Sequence, residues 1–371
     1  MSSVKVLHVL EALEGGTARH VVDLVRHAHG VEHVVAVPAA RRFGVTDTRA
    51  RNAMETAGAR LYTLDMRRSP VHPVNAVALA ALVRIVARER PEVIHGHSSI
   101  GGALARLLPT RRTTVYTPNG LAPGRGARMI ERGLATRTAM LVLVSESERD
   151  LARQLHLAGA TRMTVIPNGI EVDSEPAPVD LHSQLGLDPS IPLVGSVARL
   201  GWQKAPEHFV KMCLALASDA PTAHFVLIGD GPQASEVDVL ARPLGSRFHR
   251  LEVLPGAAGA MRSLSAFVLL SRFEGGPYAP LEAARAGVPL VLSDVVGNRD
   301  VLVPGESGLL VPPGDVEKAA GAVRRLLADP TWAGQLTQAM TARLRALFDV
   351  RQQGVAHSRL YERLANVNRS L

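Results

Sequence analysis

Short apolar strand patterns alternate with helical patterns along the whole chain, and this alternation occurs in two separate series. The first series predicts strands at Val4–Leu10, His33–Val37, Arg60–Leu64, Val93–His95, Thr113–Tyr116, Met140–Val144 and Met163–Ile166. The second series predicts strands at Leu193–Val197, His224–Ile228, Leu251–Leu254, Ala266–Leu270, Leu290–Leu292 and Leu309–Val311. Strands that alternate with helices form parallel sheets covered on both faces. The pattern therefore predicts an α/β chain of two doubly wound domains.

The boundary between the two domains is predicted from composition. A segment rich in Pro and Asp, Asp173–Pro192, separates the two series and reads as an interdomain linker. The chain has 371 residues, of which 46% are hydrophobic, and this is enough material for two cores. We expect residues 1–172 to form the first domain and residues 173–351 the second. In the last helix, Val355, Leu360, Leu364 and Val367 recur at roughly helical spacing and predict a docking stripe.

The net charge is +8, and the first half of the chain carries most of it. Residues 1–185 hold 23 basic and 17 acidic residues. A basic first domain suits an anionic membrane surface or a phosphorylated acceptor. The alternative is that arginine only keeps the protein soluble, as in proteins from GC-rich genomes. Nucleic acid is a poor partner for this chain, because aromatics make up only 4% and no groove-reading motif is evident.

The sequence predicts a cytoplasmic protein. A single cysteine, Cys213, excludes an internal disulfide and fits a reducing compartment. The apolar stretch at the N-terminus is too short for a signal peptide and fits a first strand. No run reaches the roughly 18 apolar residues that a membrane span needs.

Two carboxylates, Glu274 and Glu282, flank a Gly/Pro turn that follows an apolar strand. A helix is predicted from Pro280, because proline favours the first helical position, and Glu282 would then lie in its first turn. The N–H groups and the dipole of a helix N-terminus attract an anion. Carboxylates beside an anion site suit a ligand that is part phosphate and part polyol, such as a nucleotide sugar. The alternative is structural: Glu282 offsets the helix dipole and Glu274 satisfies turn amides.

A complementary positive site precedes this loop. Arg199 and Lys204 bracket a Gly-containing turn between a predicted strand and a helix that begins near Pro206. Arginine offers a planar fork for phosphate oxygens, and lysine a mobile point charge. An Arg/Lys pair at the end of a strand is often only part of the solvent-exposed rim of the sheet. Together with the loop at Glu274, it supplies the positive half of a diphosphate site.

Two other kinds of site are disfavoured. A dinucleotide site needs Gly-x-Gly-x-x-Gly after the first strand and an acid at the end of the second. This chain instead has Glu11-Ala-Leu-Glu-Gly-Gly16, and Pro38 stands after strand two. His95 and His97 lie on the same face of a strand end, but a metal site needs a third ligand and none is signalled nearby. We therefore expect no metal.

The chain resembles glycosyltransferase family 4, the retaining enzymes of GT-B fold. The motifs that carry this resemblance run essentially from end to end of the sequence: Gly15-Gly16-Thr-Ala-Arg-His20, His95-Gly-His97, Thr117-Pro-Asn-Gly120, Val144-Ser-Glu-Ser-Glu148, Ile166-Pro-Asn-Gly169, Arg199 with Lys204, Gly229-Asp-Gly-Pro232, Glu274 to Glu282, and Gly308-Leu-Leu-Val-Pro312. Several are generic alone, but their order and spacing are specific.

The resemblance implies a fold and a reaction. The fold would be GT-B, two Rossmann-like domains facing across a cleft, with residues 352–371 returning to the first domain as a crossover helix. The reaction would move a hexosyl or N-acetylhexosaminyl unit from a nucleoside-diphosphate sugar to a hydroxyl acceptor without a metal or other cofactor. UDP is the favoured nucleotide because it is the commonest in the family. The expected setting is bacterial synthesis of envelope polysaccharide, glycolipid or a natural product.

The resemblance also assigns roles to residues of this chain. Main-chain or side-chain groups of Gly16, Arg199, Lys204, Tyr278 and Ala279 would bind the diphosphate. Glu274, Gly275 and Gly276 would bind the donor sugar, and Glu282 the ribose. The catalytic set would be His97, Glu274, Arg199 and Lys204, with His97 beside the transferred sugar.

One position departs from the family pattern. Asn119 stands where many relatives have histidine, and an amide cannot exchange protons near pH 7. We therefore expect Asn119 to contact the acceptor or the sugar without acting as an acid or base.

Two other functions fit the same fold. A nucleotide-sugar epimerase or hydrolase would need an added acid/base set, which the sequence does not signal. A non-catalytic nucleotide-sugar-binding subunit would not need to keep both glutamates, Arg199, Lys204 and His97, all of which are present.

Overall fold

The computed structural model describes residues 3–38, 48–67, 69, 72–121, 124–159, 162–252, 254 and 256–369. The chain divides into two compact units, which we call unit 1 (Met1–Asn168 and Val350–Leu371) and unit 2 (Gly169–Asp349). Each unit has its own parallel sheet with helices packed against it. The predicted pair of doubly wound α/β domains is confirmed.

Unit 1 contains a seven-stranded sheet in the order β3-β2-β1-β4-β5-β6-β7, and all of its pairs are parallel. The strands are β1 Val4–Leu10, β2 Val31–Pro38, β3 Arg60–Leu64, β4 Val93–His97, β5 Thr113–Thr117, β6 Met140–Leu143 and β7 Met163–Val165. The helices are α1 Gly15–His27, α2 Thr48–Thr56, α3 Val74–Glu89, α4 Ser98–Leu107, α5 Arg125–Leu134, α6 Glu146–Gln154 and, from the end of the chain, α15 Val350–Arg369.

Unit 2 contains a six-stranded parallel sheet in the order β10-β9-β8-β11-β12-β13. The strands are β8 Leu193–Val197, β9 His224–Ile228, β10 Phe248–Leu251, β11 Ala266–Leu269, β12 Leu290–Ser293 and β13 Leu309–Val311. The helices are α7 Leu181–Leu185, α8 Pro206–Leu216, α9 Ala234–Ala241, α10 Ala257–Ala260, α11 Tyr278–Arg285, α12 Asn298–Val301, α13 Val316–Ala328 and α14 Pro330–Leu347. None of the helices in the described part of the chain is both long and apolar enough to cross a membrane.

The predicted strands are observed with ends shifted by at most two residues, except for the tenth. That strand is predicted at Leu251–Leu254 but runs Phe248–Leu251, and residue 253 lies outside the described residues. It is an edge strand and therefore tolerates the polar His249 and Arg250. Because of these two residues, a search for apolar runs misses the strand.

The unit boundaries fall slightly earlier than the sequence predicts. Ile170 already belongs to unit 2, because it is buried in the core of that unit and its N–H donates to Phe348 O at 2.8 Å. The segment Asp173–Pro192 is not a linker. It lies inside unit 2 and forms α7, whose Leu181 is fully buried in the core.

Helix α15 completes the core of unit 1. Leu360, Tyr361 and Ala365 are buried together with β1 and β4 residues such as Val6 and Val93. The predicted docking stripe is only partly right. Leu360 is buried, whereas Val355 and Val367 are 44% and 56% exposed.

Geometry explains the error at Val355. Five residues turn a helix by 500°, so Val355 lies roughly 140° away from Leu360 around the axis. Helix α15 also packs closely on α1. A Cβ added at Gly354 would lie 2.2 Å from His27 O, so only glycine fits there.

We predict that Tyr361 carries much of the stability of unit 1. Tyr361→Ala should lower the free energy of unfolding by about 3–5 kcal/mol, because it removes a fully buried aromatic ring. Tyr361→Phe should cost less, about 1–3 kcal/mol, because it leaves the buried His95 Nδ1 without its hydrogen bond. Urea unfolding, combined with hydrogen exchange in β1 and β4, measures both.

Val355→Ala is the matched control on the same helix and should change stability by less than about 0.5 kcal/mol. If Tyr361→Ala unfolds at the same urea concentration as Val355→Ala, α15 is a dispensable tail.

Candidate functional site

Two loops of unit 2 leave the same edge of the sheet. Strands β8 and β11 are parallel neighbours, with Val194 opposite Ala266 and Gly195 opposite Phe267. The loop after β8 carries Arg199 and Lys204 into α8, and the loop after β11 carries Glu274 into α11. The strand order reverses direction between β8 and β11, and ligands of doubly wound sheets bind at such a switch point.

Lys204 and Glu274 form an ion pair at this edge. Lys204 Nζ lies 2.6 Å from Glu274 Oε1, and Ser271 Oγ donates to the same oxygen at 2.6 Å. The Glu274 side chain is 4% exposed, whereas that of Lys204 is 24% exposed. A buried carboxylate needs such partners, because losing them would leave its charge uncompensated. The sequence-predicted cation and carboxylate are therefore in direct contact.

The two loops are also joined by hydrogen bonds to backbone groups. Gln203 Nε2 donates to Phe273 O at 3.1 Å, and Arg272 N donates to Gln203 O at 2.8 Å. The Arg272 guanidinium bonds Trp202 O at 2.6 Å and pairs with Glu207 at the start of α8. These bonds fix the position of Lys204 relative to Glu274, so the ion pair lies on a rigid support.

Arg199 is exposed in the loop after β8, five residues before Lys204. The motif Gly229-Asp-Gly-Pro232 supports this loop, since Leu200 N donates to Asp230 O at 2.9 Å. Gly231 has φ +158°, and a Cβ added there would lie 2.3 Å from Leu200 O. Only glycine lets the two backbones approach this closely, which explains the motif.

Helix α11 begins at Tyr278, two residues earlier than predicted, with Pro277 as its N-cap. Glu282 therefore lies in the second turn of the helix, and the prediction of a first-turn carboxylate is wrong. Proline is tolerated anywhere in the first turn, where N–H groups have no helical partner, so Pro280 does not fix the start. The first-turn N–H groups belong to Tyr278 and Ala279.

Gly275 and Gly276 lie between Glu274 and this N-terminus. Gly275 is buried and Gly276 half-buried. A Cβ on Gly297, after β12, would lie 2.5 Å from Gly275 O, so the neighbouring loop packs directly on the glycine pair. Ser293 Oγ donates to Ser271 O at 2.7 Å and ties β12 to the same loop. The loops after β8, β11 and β12, which are neighbours in the sheet, thus hold the predicted sugar-binding segment.

Two predicted residues of unit 1 lie at its strand ends. Gly16 is exposed in the first turn of α1. Asn119 follows β5 with a left-handed φ of +56°, and its buried amide O and N have no hydrogen-bond partner within the described ranges. Glu148 holds this loop by accepting from Gly120 N at 2.8 Å and Val144 N at 3.0 Å. A small cavity beside the loop is lined partly by Gly120 and Arg128. An amide held in this way can bond a ligand hydroxyl.

His97 lies at the end of β4 within a cluster of buried imidazoles. His95 lies two residues before it, and the two ring centroids are 3.9 Å apart. His8 of β1 reaches the pair, with His8 Nδ1 3.0 Å from His97 Nε2. One ring nitrogen from each of His8, His95 and His97 lies within 4.8 Å of the other two. The expectation that no third imidazole is nearby is therefore wrong, because β1 and β4 are adjacent and place His8 opposite His95.

Most of these nitrogens already have hydrogen-bond partners. His95 bonds Tyr361 OH at 2.7 Å and Thr117 Oγ1 at 2.8 Å. His8 Nε2 bonds His33 Nδ1 at 3.0 Å. His97 Nδ1 is buried and has no partner in the described part of the chain. An ion bound to all three rings would have to break some of these bonds.

Burial keeps six imidazoles of unit 1 neutral at pH 7, since desolvation disfavours the charged form. It lowers the pKa of His8, His95 and His97 well below 6.5, that of His20 and His33 to about 4, and that of His357 to about 3. Neutral rings can each donate one hydrogen bond and accept one. His8, His33 and Tyr361 were missed by the sequence. The contacts of His8 with His97 and of His33 with His8 depend on strand order, and that of Tyr361 with His95 depends on the packing of α15.

Two family models match the chain. "Glycosyltransferase Family 4" matches residues 14–174, and "Glycosyl transferases group 1" matches residues 191–329. Between them they include Gly16, His97, Asn119, Arg199, Lys204, Glu274 and Glu282.

Characterised relatives align with most of the chain. An exopolysaccharide phosphotransferase of Streptomyces coelicolor is 32% identical over 61% of this chain, but the match covers only 24% of that protein. The UDP-Gal:alpha-D-GlcNAc-diphosphoundecaprenol alpha-1,3-galactosyltransferase of Escherichia coli is 25% identical over 68% of this chain and 70% of its own length.

Solved structures share the fold at low identity. HepE of Anabaena, in complex with UDP-glucose, superposes with a TM-score of 0.79 at 19% identity and covers 99% of this chain and all of its own. The sucrose-phosphate synthase of Thermosynechococcus elongatus gives a TM-score of 0.84 at 21% identity, covering 98% of this chain and all of its own. The chain therefore belongs to the group 1, or family 4, glycosyltransferases and has their GT-B fold.

Proposed function

We propose that this protein is a metal-independent, retaining glycosyltransferase that moves a hexosyl or N-acetylhexosaminyl unit from a nucleoside-diphosphate sugar to a hydroxyl acceptor. The observation that carries this proposal is the contact between Lys204 and Glu274 at the shared edge of β8 and β11. A sugar diphosphate needs a cation for its phosphate oxygens and a carboxylate for its sugar hydroxyls, and both groups lie together at this edge. UDP is the preferred nucleotide, because HepE holds UDP-glucose and the galactosyltransferase is named for UDP-Gal.

Arg199 and Lys204 neutralise the leaving group. Negative charge on the diphosphate grows as the bond to the sugar breaks, and fixed cations stabilise that charge in the transition state. They thus supply the electrostatic effect that a bound metal supplies in other transferases. The N–H groups of Tyr278 and Ala279 at the start of α11 add to this effect, and Gly16 at the start of α1 contributes in the same way.

The remaining donor contacts follow from chemistry. The Glu274 carboxylate accepts from sugar hydroxyls, and the N–H groups of Gly275 and Gly276 donate to sugar oxygens. Glu282 accepts from the ribose hydroxyls. Because Lys204 and Ser271 share one oxygen of Glu274, this carboxylate suits binding better than nucleophilic attack.

Transfer takes place on one face of the sugar. The acceptor hydroxyl attacks the anomeric carbon from the side on which the phosphate departs. The new C–O bond forms as the C–O bond to phosphate breaks, and the departing phosphate takes the hydroxyl proton. The anomeric configuration is therefore retained, and no covalent enzyme intermediate forms. His97 bonds the transferred sugar, and Asn119 bonds the acceptor or the sugar.

The acceptor is proposed to belong to a growing envelope glycan or glycolipid, or to a natural product. The galactosyltransferase relative is named for a diphosphoundecaprenol acceptor, and a lipid-linked acceptor would be bound at a membrane surface. The exposed residues of helix α5 favour a lipid-linked acceptor. Met129 is 74% and Ile130 41% exposed, and both are flanked by the exposed Arg125, Arg128 and Arg132.

The opposite side of α5 is anchored in unit 1. Glu131 accepts from Tyr116 OH at 2.8 Å and pairs with the buried Arg106 at 2.9 Å, and Leu134 is buried. The anchored side points Met129 outward, next to the exposed Arg125. Apolar side chains among cations fit the surface of an anionic phospholipid layer, which attracts arginine and accepts apolar groups.

Removal of either cation should strongly reduce transfer. We expect Arg199→Ala or Lys204→Ala to lower turnover by about 100-fold and to weaken UDP binding, because each removes a preorganised charge from the leaving group. Turnover is measured with a UDP-sugar and an acceptor, and UDP affinity by calorimetry. Excess chelator should leave wild-type turnover unchanged.

Lys211→Ala is the matched control, because Lys211 is exposed on α8 outside the site. Turnover within threefold of wild type for both cation variants would refute the diphosphate site. Loss of activity in chelator, restored by magnesium or manganese, would refute metal independence. Turnover of the donor without any acceptor would indicate an epimerase or hydrolase, and an α-linked donor that gives a β-linked product would refute retention.

The two glutamates should differ in their effect on free UDP. Glu282→Gln should weaken UDP binding, because the ribose contact is present with or without the sugar. Glu274→Gln should leave UDP affinity nearly unchanged but lower transfer, since its proposed contact is with the sugar. Calorimetry with UDP and with the UDP-sugar measures both effects. Equal losses of UDP affinity in the two variants would overturn this division of roles.

The exposed residues of α5 should control membrane binding. Met129→Ser/Ile130→Ser should reduce binding to vesicles of anionic phosphatidylglycerol by about tenfold, because apolar contact with the lipid is lost. Cosedimentation measures this. Val77→Ser is the control, since Val77 is 70% exposed on α3. Wild-type protein that binds neutral and anionic vesicles equally, or not at all, would contradict the proposal.

A further inference from the structure

Three histidines from adjacent strands form a continuous hydrogen-bonded chain in unit 1. His33 lies on β2, His8 on β1 and His97 on β4, and these three strands are neighbours in the sheet. His33 Nδ1 and His8 Nε2 are 3.0 Å apart, and His8 Nδ1 and His97 Nε2 are also 3.0 Å apart. The successive rings are within 26° of parallel. The far end of the chain is His33 Nε2, 3.4 Å from the backbone carbonyl of Ala28.

We propose that His8 and His33 are positioning residues that fix His97 in its Nε2–H tautomer and leave His97 Nδ1 as an acceptor for a hydroxyl of the bound sugar. The sugar contact rests on the proposed function, whereas the tautomer is a property of the protein alone.

The direction of each hydrogen bond in this series of histidines follows from the Ala28 carbonyl at its far end. A carbonyl oxygen can only accept, so His33 must carry its proton on Nε2. A neutral His33 then has a lone pair on Nδ1, which makes His8 Nε2 the donor. His8 Nδ1 in turn has a lone pair, so His97 Nε2 must donate to it. The single proton of His97 is used on Nε2, and Nδ1 is left with a lone pair.

This argument requires each ring to hold one proton. All three residues are at most 6% exposed. Desolvation lowers the pKa of His33 to about 4 and holds the pKa values of His8 and His97 well below their usual range. At pH 7 the three rings are therefore neutral. A proton added to His33 would make both of its nitrogens donors. It would reverse the two bonds between the rings and leave the bond to Ala28 O unchanged.

A comparison with His95 shows what the hydrogen-bonded histidines contribute to the tautomer of His97. Its two nitrogens bond hydroxyl groups, those of Tyr361 and Thr117. A hydroxyl can donate or accept, so neither bond determines the tautomer of His95. His97 differs because its only hydrogen-bond partner, among the residues that the structure describes, is His8, and the tautomer of His8 is itself fixed.

The chemical consequence concerns what His97 can recognise. A buried lone pair without a donor is costly, so the site favours a ligand group that brings an O–H to it. A sugar hydroxyl does this, whereas a ring oxygen or a carbonyl does not. The chain of His8 and His33 thereby makes His97 selective for a hydroxyl donor.

The tautomer can be measured directly by long-range 1H–15N NMR on protein labelled with 15N-histidine, with the His97 signals assigned from His97→Gln. We expect His97 in the free wild-type protein to be protonated on Nε2 alone at pH 7. Protonation on Nδ1, or an even mixture of tautomers, would overturn the proposal. This result does not depend on any activity and so stands apart from the proposed function.

A pair of variants at His33 tests the chain itself. His33→Asn places an amide oxygen close to the position of Nδ1 and keeps an acceptor for His8, whereas His33→Leu removes it. We expect His33→Leu to give mixed tautomers at His97 and about tenfold lower kcat with unchanged affinity for free UDP. His33→Asn should restore the single tautomer and most of the rate.

Melting temperatures of the two variants identify any general loss of stability. A His33→Leu protein in which the His97 tautomer and kcat match those of His33→Asn would refute the positioning role. Equal losses of kcat and UDP affinity in both variants would mean that His33 is only a packing residue, and would also refute it.

Discussion

The contact between Lys204 and Glu274 exists because β8 and β11 are adjacent in a parallel sheet although 70 residues separate the two side chains. Parallel strands end at the same edge, so both loops emerge together, and the reversal of strand order between them leaves room for a ligand. The buried carboxylate needs the cation, because desolvation of an unpaired charge costs several kcal/mol. In the proposed complex Lys204 also binds phosphate and the Glu274 carboxylate also accepts from sugar hydroxyls, so the ion pair is kept.

Unit 1 uses the same architecture with different chemistry. Its strand order reverses between β1 and β4, the strands that bring His8 to His97. Here the groups are neutral imidazoles, since burial holds their pKa values below 6.5. Unit 2 thus offers charges that suit a phosphate leaving group, and unit 1 offers uncharged donors and acceptors that suit sugar hydroxyls. In both units the sheet topology, and not sequence proximity, assembles the group.

The sequence predicts what depends on local pattern and misses what depends on strand pairing. Alternating apolar runs locate the strands, and the motifs around Arg199 and Glu274 indicate one shared site. Helix α11 begins earlier than Pro280 suggests, because proline fits several first-turn positions. The distance between His8 and His97, which are 89 positions apart in the sequence, could not be predicted from the sequence, since it depends on β1 pairing with β4. Asp173–Pro192 has a linker-like composition, yet Leu181 is held in a core.

The most direct test of this account is a crystal structure of the protein with a UDP-sugar bound. We predict that oxygens of the diphosphate lie within hydrogen-bond distance of both Arg199 and Lys204, and that hydroxyls of the sugar lie within that distance of the Glu274 carboxylate. A diphosphate bound beyond the reach of both cations would contradict the account, as would a sugar that does not touch Glu274.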